Sequence, residues 1–348
     1  MAEGGGRRKA FIGSFTAAGG EGVLTAAVDE DSGALDVLGA VNGVPDPSYL
    51  ALSPGGDMLY AVSETEDGAV AAYRLTGDKL VPTGPPVPVG GSGPTHLCLH
   101  GGHVLTANYG SGSVSAVSLR DDGSLDGATG VLRHEGAGPH SLRQRGPHAH
   151  QVQSDPSGRW AVSVDLGTDS VRVCELRGGR PVVHREVALR PGSGPRHLAF
   201  HPDGRYAYVV NELSPTVTTC LWDAAEGTLR PLGETPVLPG PPAGDAYPSG
   251  IVVSPDGRFV WTATRGEDVL SVLVPDPEGE GLRLVVTVPC GGVWPRDLAL
   301  DPAGRFLYVA NERSGDVTWF AVDPRTGMPR RTGSVAAPAA SCVVFGRS

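Results

Sequence analysis

Pro195-Arg196-His197-Leu198-Ala199-Phe200-His201-Pro202-Asp203-Gly204-Arg205-Tyr206-Ala207-Tyr208-Val209-Val210-Asn211-Glu212 decides the fold. The first six residues read as a short strand opened by proline. His201 to Arg205 reads as a turn, with proline ahead of an Asp-Gly pair. Tyr206 to Glu212 reads as a second strand, rich in aromatic and β-branched residues. Thr216 to Trp222 supplies a third strand and Thr228 to Leu232 a fourth, at an edge where Pro231 is tolerated. Four consecutive antiparallel strands make one propeller blade.

Working outward, the proline opening recurs as Pro47-Ser48-Tyr49-Leu50, Pro94-Thr95-His96-Leu97, Pro147-His148-Ala149-His150, Pro248-Ser249-Gly250-Ile251 and Pro295-Arg296-Asp297-Leu298. Intervals of about 47 to 53 residues indicate a propeller or solenoid. Turns at Pro54, Pro156, Pro255 and Pro302 fall in register, whereas the Pro94 unit turns at His100-Gly101-Gly102 instead. These six units leave the two ends of the chain unmatched. Ala10 to Thr16, Val23 to Asp29 and Leu35 to Val41 lack a first strand, and Pro338 to Phe345 is a first strand lacking the rest. Joined, they complete a seventh blade and remove the exposed edges of an open sheet. The expectation is one all-β domain over residues 9–345. It is a seven-bladed β-propeller with four antiparallel strands per blade, its ring closed by the C-terminal strand joining the N-terminal blade. Fraying is expected only at Met1 to Arg8 and Gly346 to Ser348.

Composition agrees. Fifty-one glycines and 31 prolines lie between short apolar runs, which suits strands and tight turns. A formal net charge of -10 argues against nucleic-acid or acidic-membrane partners, so any anion must be held by a local arrangement. Five cysteines with no CxxC spacing indicate neither a disulfide framework nor a zinc ribbon, and point to a reducing cytoplasm. No metal or cofactor is expected, and the protein is expected to be a monomer. Arg7-Arg8-Lys9 faintly resembles a twin-arginine signal, but Gly13-Ser14 breaks the apolar run behind it, so Lys9 to Thr16 is read as a strand.

In an antiparallel blade the start of the first strand and the end of the second share one rim. Position two of each unit is Ser48, Thr95, His148, Arg196, Ser249, Arg296 and, in the tail, Ala339. The residues just past the second strands are Glu64, Tyr109, Leu166, Glu212, Arg265 and Glu312. Solvated charges are ordinary at strand ends. Three arginines, a histidine and three glutamates on one rim nevertheless suggest that Arg196, Arg265 and Arg296 hold an anion. His148 and Glu212 are then the candidates for handling protons. His150 takes a place filled elsewhere by a core leucine, where a structural histidine is as plausible as a catalytic one. No Gly-x-Ser-x-Gly elbow is present, so a serine acyl-enzyme is not expected.

Arg143-Gln144-x-x-Pro147-His148-Ala149-His150, Asp165-Leu166-Gly167-Thr168-Asp169, Asn108-Tyr109-Gly110-Ser111-Gly112 and Pro195-Arg196-His197 with Asn211-Glu212 together resemble the bacterial seven-bladed propeller lactonases. That family includes propeller-type 6-phosphogluconolactonase and is similar to the fungal carboxy-muconate lactonising enzyme. The resemblance runs from about Lys9 to Phe345. It implies cofactor-free opening of an anionic sugar lactone by water, with His148, Glu212, Arg196 and Arg265 as catalytic residues. Arg143, His150, His197 and Arg296 are the substrate-binding candidates, Arg143 on a 136–146 loop that could cap the mouth. Asp297 and the loop histidines His134 and His140 depart from the pattern. Two other readings stay open: cyclisation of a muconate-type dianion at the same residues, and a binding platform without catalysis. A dead-ended funnel at the His148 mouth is the expectation that separates a lactonase from a platform.

Overall fold

The computed structural model describes residues 8–276 and 280–346. The fraying expected at Met1 to Arg8 and Gly346 to Ser348 therefore falls largely outside the described residues. Blade 1 pairs Ala340–Phe345 with Lys9–Ser14, followed outward by Val23–Val28 and Leu35–Val41. Blade 2 carries Leu50–Leu52, Met58–Ser63, Ala69–Thr76 and Lys79–Pro82, with Val87–Pro88 adding a short pairing. Blades 3 to 7 open with Pro94–His100, Ala149–Ser154, Pro195–Phe200, Tyr247–Val253 and Pro295–Leu300, each the inner strand of a four-stranded antiparallel sheet. The fold is a seven-bladed β-propeller.

The two ends of the chain close the ring through an antiparallel ladder in which Ile12 faces Val343 and Ala10 faces Phe345. Second strands such as Met58–Ser63 and Phe306–Asn311 are buried along their whole length. Their continuous apolar runs follow from being covered by a blade on each face. Fourth strands such as Leu125–Arg133 alternate toward solvent. Seven apolar clusters fill the seven seams, one of them packing Ile12, Leu24 and Val343 of blade 1 against Tyr308, Val317 and Trp319 of blade 7.

A recurring clasp ties neighbouring blades. An aromatic side chain on or immediately before a second strand donates to a turn carbonyl of the next blade: Tyr60 Oη to Gly123, Trp160 Nε1 to Ala224, Trp261 Nε1 to Gly327 and Tyr308 Oη to Gly33, all at 2.7–2.8 Å. The turn must be thin where the ring lies on it. Gly33 has φ +73°, and a Cβ there would stand 2.5 Å from the Phe306 ring.

The ladders fix which side chains share a level of the channel. Leu50, Leu97, Val152, Leu198, Leu298 and Val343 each face the residue two before the end of a second strand, and Ile251 faces Thr262, three before the end of Val260–Arg265, together forming a lower ring. Above it lies a middle ring of Tyr49, His96, Gln151, His197, Gly250, Asp297 and Cys342. The upper ring is Ser48, Thr95, His150, Arg196, Ser249, Arg296 and Ser341. This corrects the register read from sequence in two blades. His150, not His148, shares the level of Arg196, and Val152, not His150, takes the leucine position. Ser341 replaces Ala339 for the same reason.

Backbone bonds confirm the offset: Glu212 N donates to Gly194 O, Leu166 N to His148 O and Phe15 N to Ala339 O, so His148 and Ala339 correspond to Gly194. The cause in blade 4 is Asp165. Where other second strands end in Asn108, Asn211 or Asn311, whose amides donate to third-strand hydroxyls, Asp165 can only accept. Its Oδ1 takes the His148, Gly167 and Thr168 N–H groups, holding His148 ahead of the strand.

Trp261→Ala removes a fully buried ring and its clasp. Urea unfolding should show a loss of about 3–5 kcal/mol.

Candidate active site

The upper ring meets the ends of the second strands around one carboxylate. Glu212, 3% exposed, follows the strand Tyr206–Asn211 and is pinned by its own N–H to Gly194 O. Arg265 Nη2 lies 2.8 Å and Arg196 Nε 3.2 Å from Oε2, and Arg143 Nη2 lies 2.5 Å from Oε1. His150 Nε2 stands 4.0 Å from Oε2. Three guanidinium groups around one carboxylate put positive charge in excess of the anion they share, inside an otherwise acidic protein.

Burial alone would raise the Glu212 pKa, but Arg265 and then Arg196 outweigh it and hold the group well below the usual carboxylate range. Burial, and next Arg265, draw Arg196 down, yet it stays cationic at neutral pH. His150 is pushed well below the ordinary imidazole range, first by burial and then by Arg196, so it is neutral. Arg265 also donates through Nε to Tyr247 O at 3.2 Å, and its guanidinium lies 5.6 Å from the Trp294 ring centre.

Arg143 arrives on the loop between blades 3 and 4. Its neighbour Gln144 is buried and bolts that loop down, donating through Nε2 to Leu166 O at 2.8 Å and Asp169 Oδ1 at 2.7 Å. Gln144 Oε1 accepts the His140 N–H. His134, at the start of the loop, bonds Asp165 Oδ2 at 2.6 Å, and Arg172 lies 3.4 Å from the same oxygen. The departures His134 and His140 thus hold the loop. Arg143 itself is about one-third exposed and lies across the mouth.

His148 is half-buried outside the Glu212 cluster. It stacks on Tyr109 at 4.4 Å, and its Nδ1 lies 2.9 Å from Tyr109 O. Tyr109 in turn accepts from Arg143 Nη2 at 3.3 Å, linking histidine and cluster through one ring. Since a carbonyl only accepts, the neutral imidazole carries its proton on Nδ1 and presents Nε2 as the lone-pair nitrogen.

The other two candidates sit elsewhere. Arg296 faces Glu312 at 3.3 Å and Glu64 at 3.7 Å, so its charge is already opposed, and it rests 4.6 Å over Phe15. His197 belongs to the middle ring, packed edge-on beneath His150 at 5.2 Å. Tyr109, Tyr247, Trp294 and Gln144 were not among the site candidates. Tyr109 had a signal, as the one aromatic in the series of residues past the second strands, and Gln144 stood beside Arg143 in the family motif; Tyr247 and Trp294 had none. At the mouth where a funnel was expected, Arg143 contacts Glu212, and the cavity of about 650 Å³ lies instead below the middle ring.

The sequence matches the family described as "Lactonase, 7-bladed beta-propeller" over residues 9–345. The chain belongs to that family. Among curated lactonases, 6-phosphogluconolactonase of Bacillus subtilis (strain 168) is 33% identical over 341 residues, covering 96% of this chain and 97% of that protein. A solved periplasmic gluconolactonase of Pseudomonas aeruginosa superposes with a TM-score of 0.91 at 31% identity, covering 98% of this chain and 99% of that one. A putative 6-phosphogluconolactonase of Bacteroides fragilis gives 0.91 at 26% identity, over 99% of both chains.

For this lactonase fold the Glu212 cluster is also a stability element. Glu212→Gln leaves Arg196 and Arg265 buried without their shared anion and should cost about 3–5 kcal/mol in urea unfolding at neutral pH. The depressed pKa sets the sign of the pH dependence. The native protein holds this contribution in full above the ordinary value of 4.5 and loses it as pH falls toward the lowered one. The variant should lack that component of acid destabilisation.

Proposed function

We propose that this chain hydrolyses 6-phosphogluconolactone to 6-phosphogluconate at the Glu212 mouth. The observation that carries the reading is the convergence of Arg143, Arg196 and Arg265 on one buried carboxylate beside a histidine whose tautomer is set by a backbone carbonyl. Their surplus positive charge suits a phosphorylated substrate, and forked donors suit its oxygens.

His148 Nε2 takes a proton from water as the water oxygen bonds the lactone carbonyl carbon. Arg196 and Arg265, fixed in place by Glu212, share the anionic group and the developing oxyanion. The imidazolium then returns its proton to the ring oxygen as the carbon–oxygen bond breaks, giving the open carboxylic acid, which ionises. Arg143 is the exchangeable partner, because it is partly exposed and can leave Glu212 for the substrate phosphate. Glu212 is ion-paired with three guanidinium groups and acts as their template, not as the base.

The test is loss of lactone above its spontaneous hydrolysis. His148→Ala should lower kcat by about 10²–10⁴ with the melting transition unchanged. Arg143→Ala should raise KM for the phosphorylated lactone at least tenfold and leave δ-gluconolactone little affected. Equal kcat/KM for the two lactones in the native protein would remove the phosphate assignment. A fully active His148→Ala would remove the base.

A further inference from the structure

The channel has a second compartment on the far side of the middle ring. Its cavity of about 650 Å³ is lined in each contributing blade from the middle ring downward, and no upper-ring residue touches it. The floor is polar, made by Tyr49, His96, Gln151, His197 and Asp297. The walls run to Leu52, Leu99, Phe200, Val253, Leu300 and Val344, interrupted on the blade 4 side by Gln153 and Ser154. A concave site of this size with apolar wall residues and convergent polar groups has room for a small molecule.

The floor carries unmet hydrogen-bonding capacity. His96 Nδ1 and His197 Nε2 are buried without a partner in the described structure. Both rings are held rigidly, with Tyr49 stacked on His96 at 3.9 Å and His197 edge-on to His96 at 5.4 Å. Gly250 contributes no side chain to the ring beside Asp297, and a Cβ there would come within 2.7 Å of Leu298 N. Burial brings the Asp297 carboxyl up to about 7 although Arg196 draws it down, so near neutral pH it both donates and accepts. Burial, then Arg196, lowers His96 to about 3, which leaves it an uncharged imidazole.

We infer that this lower compartment is a second small-molecule site. It takes a neutral ligand with an aliphatic body and one terminal group that donates and accepts, an alcohol or a primary amide, seated on His96, His197 and Asp297. Arg196 and Arg296 above the floor and Asp297 within it offer both signs of charge at one place, which suits a neutral dipolar head group better than an ion of either sign. The inference goes beyond the lactone reading and does not rest on it.

Hexanamide is a suitable probe for the full-length protein at pH 7. Calorimetric titration should show saturable one-to-one binding, and intermolecular NOEs should connect the pentyl chain to methyl groups of Leu52, Leu300 and Val344. Leu52→Trp and Val253→Trp, from two different blades, should each weaken binding at least tenfold while lactone hydrolysis stays within twofold. The NOE measurement stands even if a filling variant fails to fold. Absence of saturation, NOEs confined to other residues, binding that survives both fillers, or displacement of the probe by 6-phosphogluconate would each overturn the proposal.

Discussion

Everything in this molecule depends on the ladder between Ala10–Ser14 and Ala340–Phe345. Without it blade 1 is a three-stranded remnant, and the seam packing Ile12 and Val343 on Tyr308 and Trp319 has nothing to close against. The ladder spans nearly the whole chain, so its formation carries a large loop-closure cost. The cost is offset because every other seam is then held at a fixed angle. Inner strands converge, and residues hundreds of positions apart are forced onto a common level.

That convergence explains why charged side chains can be buried at the hub. Arg196 and Glu212 come from blade 5, Arg265 from blade 6, His150 from blade 4 and Arg143 from the loop before it. No local segment could assemble three guanidinium groups on one carboxylate. The arrangement tolerates its desolvation cost because the partners are delivered already in place. The same rigidity keeps the upper and lower compartments distinct, separated by a single ring that includes His197 and Asp297.

Much of this was legible beforehand because a propeller repeats. Proline openings, Pro-x-Gly turns and aromatic second strands gave the blade count, the closure and the rim that holds Arg196, Glu212 and Arg265. What failed was register in blades 1 and 4. Proline marks where a strand opens only if the residue after it joins the ladder, and Asp165 holds His148 out of it. The tail repeats the shift, with Ala339 at φ +52° occupying the place of Gly194. Nor could spacing show that Arg296 is answered by Glu64 and Glu312 or that Gln144 anchors the Arg143 loop, since both depend on contacts between blades.

The displacement in blade 4 is two residues, and two is the period of a strand. A slip of one would have turned every inner-strand side chain from one seam to the other. A slip of two leaves Ala149 and Val152 in their seam with blade 3 while a different residue is carried to the mouth. Inner strands of a propeller can therefore be advanced in steps of two, like a ratchet, exchanging the chemistry presented at the hub without disturbing the walls between blades.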